Sequence, residues 1–284
     1  MPWLPSNMAI ELVKQYAGLV DEKFAVESKK SLVTNNDYTW TGAHSIKVYK
    51  VSITGMNDYA RNGQASRYGT VADLDATTQE MALKKDRSFT FVIDKMDTDE
   101  TGLALQAGSA LERQIREAVI PEVDTYTYGV MCAGAGTVAE AVKITKTNIY
   151  ELITDASNVL DDACVPESER VIIVTPAIYK LMKQCKDITM DTEIGNDMRI
   201  KGVIANLDGC LVAKIPASRL PNDFGFMMAH KCATVAPLKL NDYKAHIDPP
   251  GYSGVLVEGR VYYDAFVLDN KKKGIYYQPT TSEE

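Results

Sequence analysis

The stretch GLALQAGSALERQIREAVIPEVDTYTYG, residues 102–129, decides how this chain folds. Ala104, Ala107, Leu111, Ile115, Ala118 and Val119 recur at helical intervals and form a single stripe. Just upstream, Asp97 and Glu100 have the spacing of a capping box, and acidic residues crowd the first turn, where the helix dipole favours them. Pro121 lacks an amide proton and its ring collides with the preceding turn, so the helix should kink or break near Ile120. Val123, Tyr126 and Val130 carry the spacing onward, and Gly134 and Gly136 end it. The spacing predicts a long, bent helix of up to about 50 Å, at 1.5 Å per residue.

Downstream, residues 137–245 read as an α/β layer. Ile149, Leu152, Ile153, Ala156, Val159 and Leu160 mark a second amphipathic helix. Val171–Val174 is a strand, and Thr175-Pro176 an N-cap with proline at the first helical position, so a helix should cover 176–184. Gly202–Ala205 and Cys210–Ile215 are strand candidates joined by Asn206-Leu207-Asp208-Gly209, a turn of the Asp-Gly kind. Phe224–Ala229 is a further strand. After the turn Asp248-Pro249-Pro250-Gly251, a long strand places Val255, Val257, Val261, Tyr263, Ala265 and Val267 on one face. DNKKKG (269–274) should turn it into a hairpin with Ile275-Tyr276-Tyr277.

Upstream, Phe89, Phe91 and Ile93 alternate with polar residues as in a strand, and 46–53 is another. The insertion between them, rich in Gly, Asn and Asp, suggests a projecting β-loop. Ile10, Val13, Ala17 and Val20 mark a short amphipathic helix. The polar stretch from Ser28 to Ser45 has no period and reads as an extended arm rather than a core element. The tail PTTSEE reads as frayed.

Composition narrows the function. The chain has 284 residues, 45% hydrophobic and 24% charged, as in an ordinary globular protein. Its formal charge is -7, a poor balance for non-specific nucleic-acid binding. There is no secretory signal and no apolar run long enough to span a bilayer. The five cysteines, Cys132, Cys164, Cys185, Cys210 and Cys232, are widely spaced, without a CxxC pair, and read as free thiols in a reducing cytoplasm.

Sites of chemistry are scarce. The glycine-rich Cys132–Thr137 follows a helix, whereas a dinucleotide loop follows a strand, so helix termination is the better reading. DTDETG (97–102) starts like a calcium loop, but Gly108 stands where the closing Glu belongs. Asp187, Asp191, Glu193 and Asp197 could ligate a hard cation; a solvated loop is the simpler reading. The three histidines are His44, His230 and His246; His44 sits in the arm, His246 sits before the Asp-Pro-Pro turn, and nothing in the sequence argues for a catalytic triad at either. No catalytic, cofactor or metal residue is assigned. Lys84, Lys85 and Arg87 form a basic patch suited to acidic residues of another copy. Arg113, Arg116, Glu258 and Arg260 complete the expected assembly contacts.

The order of parts resembles the Hong Kong 97-type major capsid protein of tailed bacteriophages, over essentially the whole chain. The stretches that carry the likeness are 102–129, VIIVTPAIYKLMKQ (171–184) and VEGRVYYDAFVLDNKKKGIYYQ (257–278). The resemblance implies an α+β fold: N-terminal arm 1–45, E-loop 46–96, spine helix 97–136, an axial A-domain 137–245, and C-terminal strands of the peripheral P-domain 246–284. It implies no enzyme and no cofactor. The subunit would self-assemble into hexamers and pentamers of an icosahedral shell around double-stranded DNA, held without sequence-specific contacts and without a membrane. Scaffolding and portal proteins would be partners, with decoration proteins possible. The location would be the virion, assembled in the host bacterial cytoplasm.

Many members of that family carry a long scaffolding segment that is cut away. Here the arm begins almost at once, which implies separate scaffolding or a mature form. Some members crosslink a loop lysine to a neighbour's asparagine. Lys84 and Lys85 are available, but no motif marks either as reactive. Encapsulin, a bacterial cargo shell of the same fold, is the sibling reading. A soluble metal-dependent α/β enzyme using residues 187–197 is the reading from another class.

Overall fold

The computed structural model describes residues 27–35, 37–38, 45–62, 66–71, 73, 76–96, 107–189 and 206–281. The helix expected over 10–20, the capping box at 97–100, His44, the strand at 202–205 and the acidic cluster beyond Asp187 lie outside them.

β1 (Ser45–Val51) and β2 (Ala76–Ala82) form an antiparallel ribbon, with Ser45 opposite Ala82 and Val51 opposite Ala76. The sequence pointed to the strand at 89–93 as the second arm of this loop. That expectation is corrected: the second arm is ATTQEMA, whose polar residues hide its strand character, and only its root is buried. β3 (Lys85–Asp94) leaves the ribbon for another sheet. Its alternation holds, with Phe89, Phe91 and Ile93 turned inward.

The long helix has three parts. α1 (Ala107–Gln114) leads into a π turn (Ile115–Val119) and then α2 (Ile120–Ala133). In the π turn the Ile120 amide reaches back five residues to the Ile115 carbonyl. The turn sits immediately before Pro121. A widened turn moves the carbonyl of Glu117 away from the proline ring, so the helix absorbs the proline without ending. Gly134 closes α2, its amide donating to Val130 at 2.8 Å.

β4 (Thr137–Val138), α3 (Ile149–Asp162), β5 (Arg170–Val174), α4 (Pro176–Gln184) and α5 (Lys186–Thr189) follow. Thr175 caps α4, its hydroxyl accepting from the Ile178 amide. β6 (Asn206–Leu207) and β7 (Cys210–Lys214) form a hairpin closed by Asp208-Gly209 alone, at φ +50 and +71, so Asn206 and Leu207, expected in the turn, are strand residues. These angles suit a primed turn, and glycine enters them without steric cost. Then come β8 (Phe224–His230), β9 (Thr234–Val235), β10 (Leu238–Ile247), β11 (Gly254–Tyr263), β12 (Phe266–Val267) and β13 (Ile275–Pro279).

The main sheet has strand order β4-β13-β8-β5-β7-β6. β5 is buried throughout, so its apolar run is continuous rather than alternating. Ile172 and Val174 pack with Ile149, Ile153 and Leu160 of α3 and Met182 of α4. Val171 and Ile173, on the other face, pack with Tyr128 and Met131 of α2. The helix meets this layer through Tyr128, Met131 and Cys132, not through the expected stripe, whose Leu111, Ile115 and Val119 are only half-buried and whose Ala118 is exposed.

Two sequence readings fail here. The segment around Val33, expected outside the core, belongs to it. Val33 is 1% exposed within the α2-side core, and Asn35 donates from its amide to Thr234 O (2.9 Å) and from its side chain to Cys232 O (3.1 Å). A buried ion pair fastens the start of this segment: Arg219 lies 2.9 Å from Asp124 of α2, and the Ser28 hydroxyl donates to Asp124 at 2.6 Å. These four contacts join residues too far apart in sequence for any local pattern to show. The closing hairpin also does not form. β11 pairs with β10 and β3, whereas β13 crosses to the main sheet beside β8 and β4. The break falls at buried Asp264, whose carboxylate accepts from Ala265 N (2.8 Å), Lys84 N (2.9 Å) and the Tyr126 hydroxyl (2.7 Å).

Candidate assembly surfaces

The ribbon is anchored only at its root. Met81 is fully buried with Leu83, Val235 and Leu268, and Ile46 and Val48 pack against that cluster. Lys50 pairs with Asp269 at 2.7 Å, and Gln79 exchanges hydrogen bonds with Val267 O and Asp269 N, both 3.0 Å. Beyond the root the chain stands in solvent. Ile53 is 97% exposed, Met56 fully, Val71 85% and Tyr68 79%. Among the described residues, seven of the fifteen exposed large apolar side chains lie between Tyr49 and Val71. Such a concentration marks an interaction surface, whereas single exposed apolar residues mean little.

The tip has some order of its own. Ala60 N donates to Arg67 O at 3.0 Å, and the Tyr59 and Tyr68 rings meet edge to face at 5.1 Å. Gly69 turns at φ +83, a conformation glycine adopts freely. These bonds shape the tip but give it no core.

A second surface is the sheet β10-β11-β3. One face covers α2: Val261 and Tyr263 are buried against Val123. A side chain at Gly259 would collide with the Phe89 ring, which explains the glycine inside the strand. The opposite face is polar. Ser88, Thr90, Asp242, Lys244, Glu258 and Arg260 line a groove of about 460 Å³.

The sequence-selected residues fall on both faces of this sheet and along the helix. The Lys85 ammonium sits 4.9 Å from the Tyr126 ring centre on the helix side. Arg87 pairs with Glu122 of α2 at 2.6 Å, and the Tyr263 hydroxyl donates to the same carboxylate at 3.1 Å. Arg260 grips Asp86 on the polar face through Nε at 2.9 Å, and this hydrogen bond holds the Asp86 carboxyl below its usual range. Glu258 lies 3.4 Å from His246. Arg113 is half-buried on α1, and Arg116 is exposed in the π turn. Lys84 is exposed, with its backbone amide held by Asp264. Arg87, Glu258 and Arg260 therefore have partners within the chain. Sequence reasoning missed the apolar ribbon residues, because Ile53, Met56, Tyr68 and Val71 lie in a polar stretch without period.

Burial pushes the Cys132 thiol up to about 12 and the Cys210 thiol to about 11, away from reactive thiolate chemistry. All five cysteines are free thiols. Burial, then the hydrogen bond to Asp264, raises the Tyr126 hydroxyl to about 12. Among the described residues no group of three or more His, Cys, Asp or Glu side chains is placed to hold a metal, and no helix is long and apolar enough to cross a membrane.

No family model and no curated protein matches the chain. Solved structures do. A structure of Mycobacterium phage Che8 superposes with a TM-score of 0.78 at 17% identity, covering 94% of this chain and 97% of that one. The capsid of cyanophage P-SCSP1u gives 0.77 at 15% identity, covering 96% and 94%. The mature capsid of bacteriophage PhiM1 gives 0.73 at 12% identity, covering 99% and 96%. Coverage is near complete in both directions. The chain therefore has the fold of these phage structures, the Hong Kong 97-type fold.

Proposed function

We propose that this chain is the structural subunit of a phage capsid, forming hexamers and pentamers of an icosahedral shell around double-stranded DNA, with no catalytic role. The observation that carries this reading is the ribbon. It places the apolar side chains of Ile53, Met56 and Val71 on a projection where no described residue covers them. Leaving such side chains in water forgoes roughly 1.5–3 kcal/mol each that burial against a neighbour recovers. Summed around a closed ring of subunits, contacts of this size give tight assembly from individually weak pairs. Lys84 and Lys85 extend the surface offered to neighbouring carboxylates, whereas Arg87 and Arg260 contribute to the subunit's own rigidity. Scaffolding and portal proteins complete the assembly, and the finished subunit belongs to the virion.

The test is a double substitution, Ile53→Asp with Met56→Asp. Both side chains are exposed in the monomer, so its circular dichroism and melting temperature should match the parent chain. Assembly, followed by light scattering and negative-stain microscopy with and without a scaffold, should be lost. A variant that assembles like the parent would falsify the bridging role of the ribbon. A parent chain that stays monomeric under every condition would remove the shell reading itself.

A further inference from the structure

The two ends of the parallel pair β5–β7 carry opposite charge. At the C-terminal end, α4 begins beyond Thr175 and presents Lys180 and Lys183 to solvent. The Lys183 ammonium stands 5.1 Å from the centre of the Tyr179 ring, and that of Lys214, the last residue of β7, stands 5.3 Å from the same ring. Lys29 arrives from the N-terminal segment and donates to the Lys214 carbonyl at 3.2 Å. Among the described residues, none of these four lysines enters an ion pair. The ring gives two ammonium groups a fixed place by cation–π attraction, which offsets their mutual repulsion without neutralising either. A knot of unneutralised lysines in a chain of charge -7 is built for an anionic partner.

The N-terminal end of the same strand pair is acidic and concave. A cavity of about 560 Å³ is lined by Asp161, Glu167 and Asp208, with Ser157, Ser168 and Arg170. The Arg170 guanidinium is buried and already committed, to Asp161 at 2.6 Å and to the carbonyls of Pro166 and Val165. Glu167 and Asp208 enter no ion pair among the described residues. β5 and β7 are parallel, with Val171 beside Leu211 and Val174 beside Lys214. The two charged sites therefore face opposite ways along one rigid pair of strands, and one subunit cannot close them on each other.

We propose that they meet between copies: Lys183 and Lys214 of one subunit engage the Glu167–Asp208 cavity of the next. A contact between two different patches is heterologous, and repeated at a fixed rotation it closes a ring. This inference rests on the shell reading, and it names the charge contact that sets the order of subunits within a capsomer. A second copy suits the lysines better than nucleic acid does. A phosphate backbone would satisfy them but would leave the cavity carboxylates without a partner.

The test is charge reversal with rescue. Lys183→Glu with Lys214→Glu should cut the assembled fraction about tenfold, because each ring now repeats a like-charge contact. Glu167→Lys with Asp208→Asn should weaken assembly similarly; asparagine keeps the turn, since it tolerates positive φ. A chain carrying all four changes should recover to within about threefold of the parent, as opposite charges again face each other. Monomer melting temperatures serve as the folding control. The inference is overturned if either reversal alone assembles like the parent, or if the fourfold variant is no better than the lysine reversal. It is also overturned if the lysine variant assembles normally but loses salt-sensitive binding to a short DNA duplex, since phosphate is then the occupant. In each of these cases the parent chain still assembles, so the shell reading survives. A parent that never assembles sinks both.

Discussion

His230 shows how one side chain records its surroundings. It ends β8, is 7% exposed, and its Nδ1 accepts from the Cys232 amide at 3.2 Å. Burial lowers its pKa below 6.5, helped by Arg170 and Lys271 and opposed by Glu169. The folded state therefore keeps the ring neutral, while the unfolded chain takes up a proton near pH 6.5. Below that pH the unfolded state binds more protons, so stability falls as pH drops. Urea titrations of the monomer between pH 7.5 and 5.5 should give a decreasing unfolding free energy, and His230→Gln should flatten that slope. An unchanged slope in the variant would place the pH dependence elsewhere. None of this could be read from the sequence, where His230 is one histidine between an alanine and a lysine; its strand partner, Arg170, lies 60 residues upstream.

At the scale of elements, local chemistry was legible and partnership was not. Thr175-Pro176 announced a helix start, and the structure supplies it, hydroxyl to amide. Thr175→Ala should lower monomer stability by about 1 kcal/mol, and Thr175→Ser should restore most of it. Chemical denaturation measures both, and equal losses for the two would argue against the cap. Pro121 announced a disturbance, but not that a π turn would absorb it, because the choice depends on what the helix must contact on both sides. β10 escaped notice: its alternation of Leu238, Leu240 and Asp242 with Lys239, Asn241 and Tyr243 has no apolar face. The destination of β13 was equally hidden. Ile275-Tyr276-Tyr277 is plainly a strand, yet its neighbours are set by Asp264, which stops β11 and sends the chain to the other sheet. The apolar ribbon residues were missed for the opposite reason. Sequence patterns find faces that a chain buries against itself, and these it does not bury.

At the scale of the whole molecule, the fold separates stability from association. Two core layers and the anchored segment around Val33 hold the subunit together, and the ribbon contributes little to either. Limited proteolysis should expose this division. In the free subunit, cleavage should fall first within residues 52–71, leaving the body intact, because exposed loops without a core open easily. In assembled particles the same sites should resist. Equal cleavage in both states would mean that neighbours do not cover the ribbon.

Among the described residues the ribbon also has two unpaired edges. Lys47, Lys50 and Glu80 place charge near its root, but from Ser52 to Ala60 the only charged residue is Asp58. This lightly charged stretch, lying beyond the paired strands with Ile53 and Met56 exposed, is open to association with other apolar surfaces, right or wrong. Every free subunit therefore ages, accruing a risk of mispairing that grows with time and concentration. Incorporation into a closed particle stops that clock, so the container shelters its own wall as well as its contents.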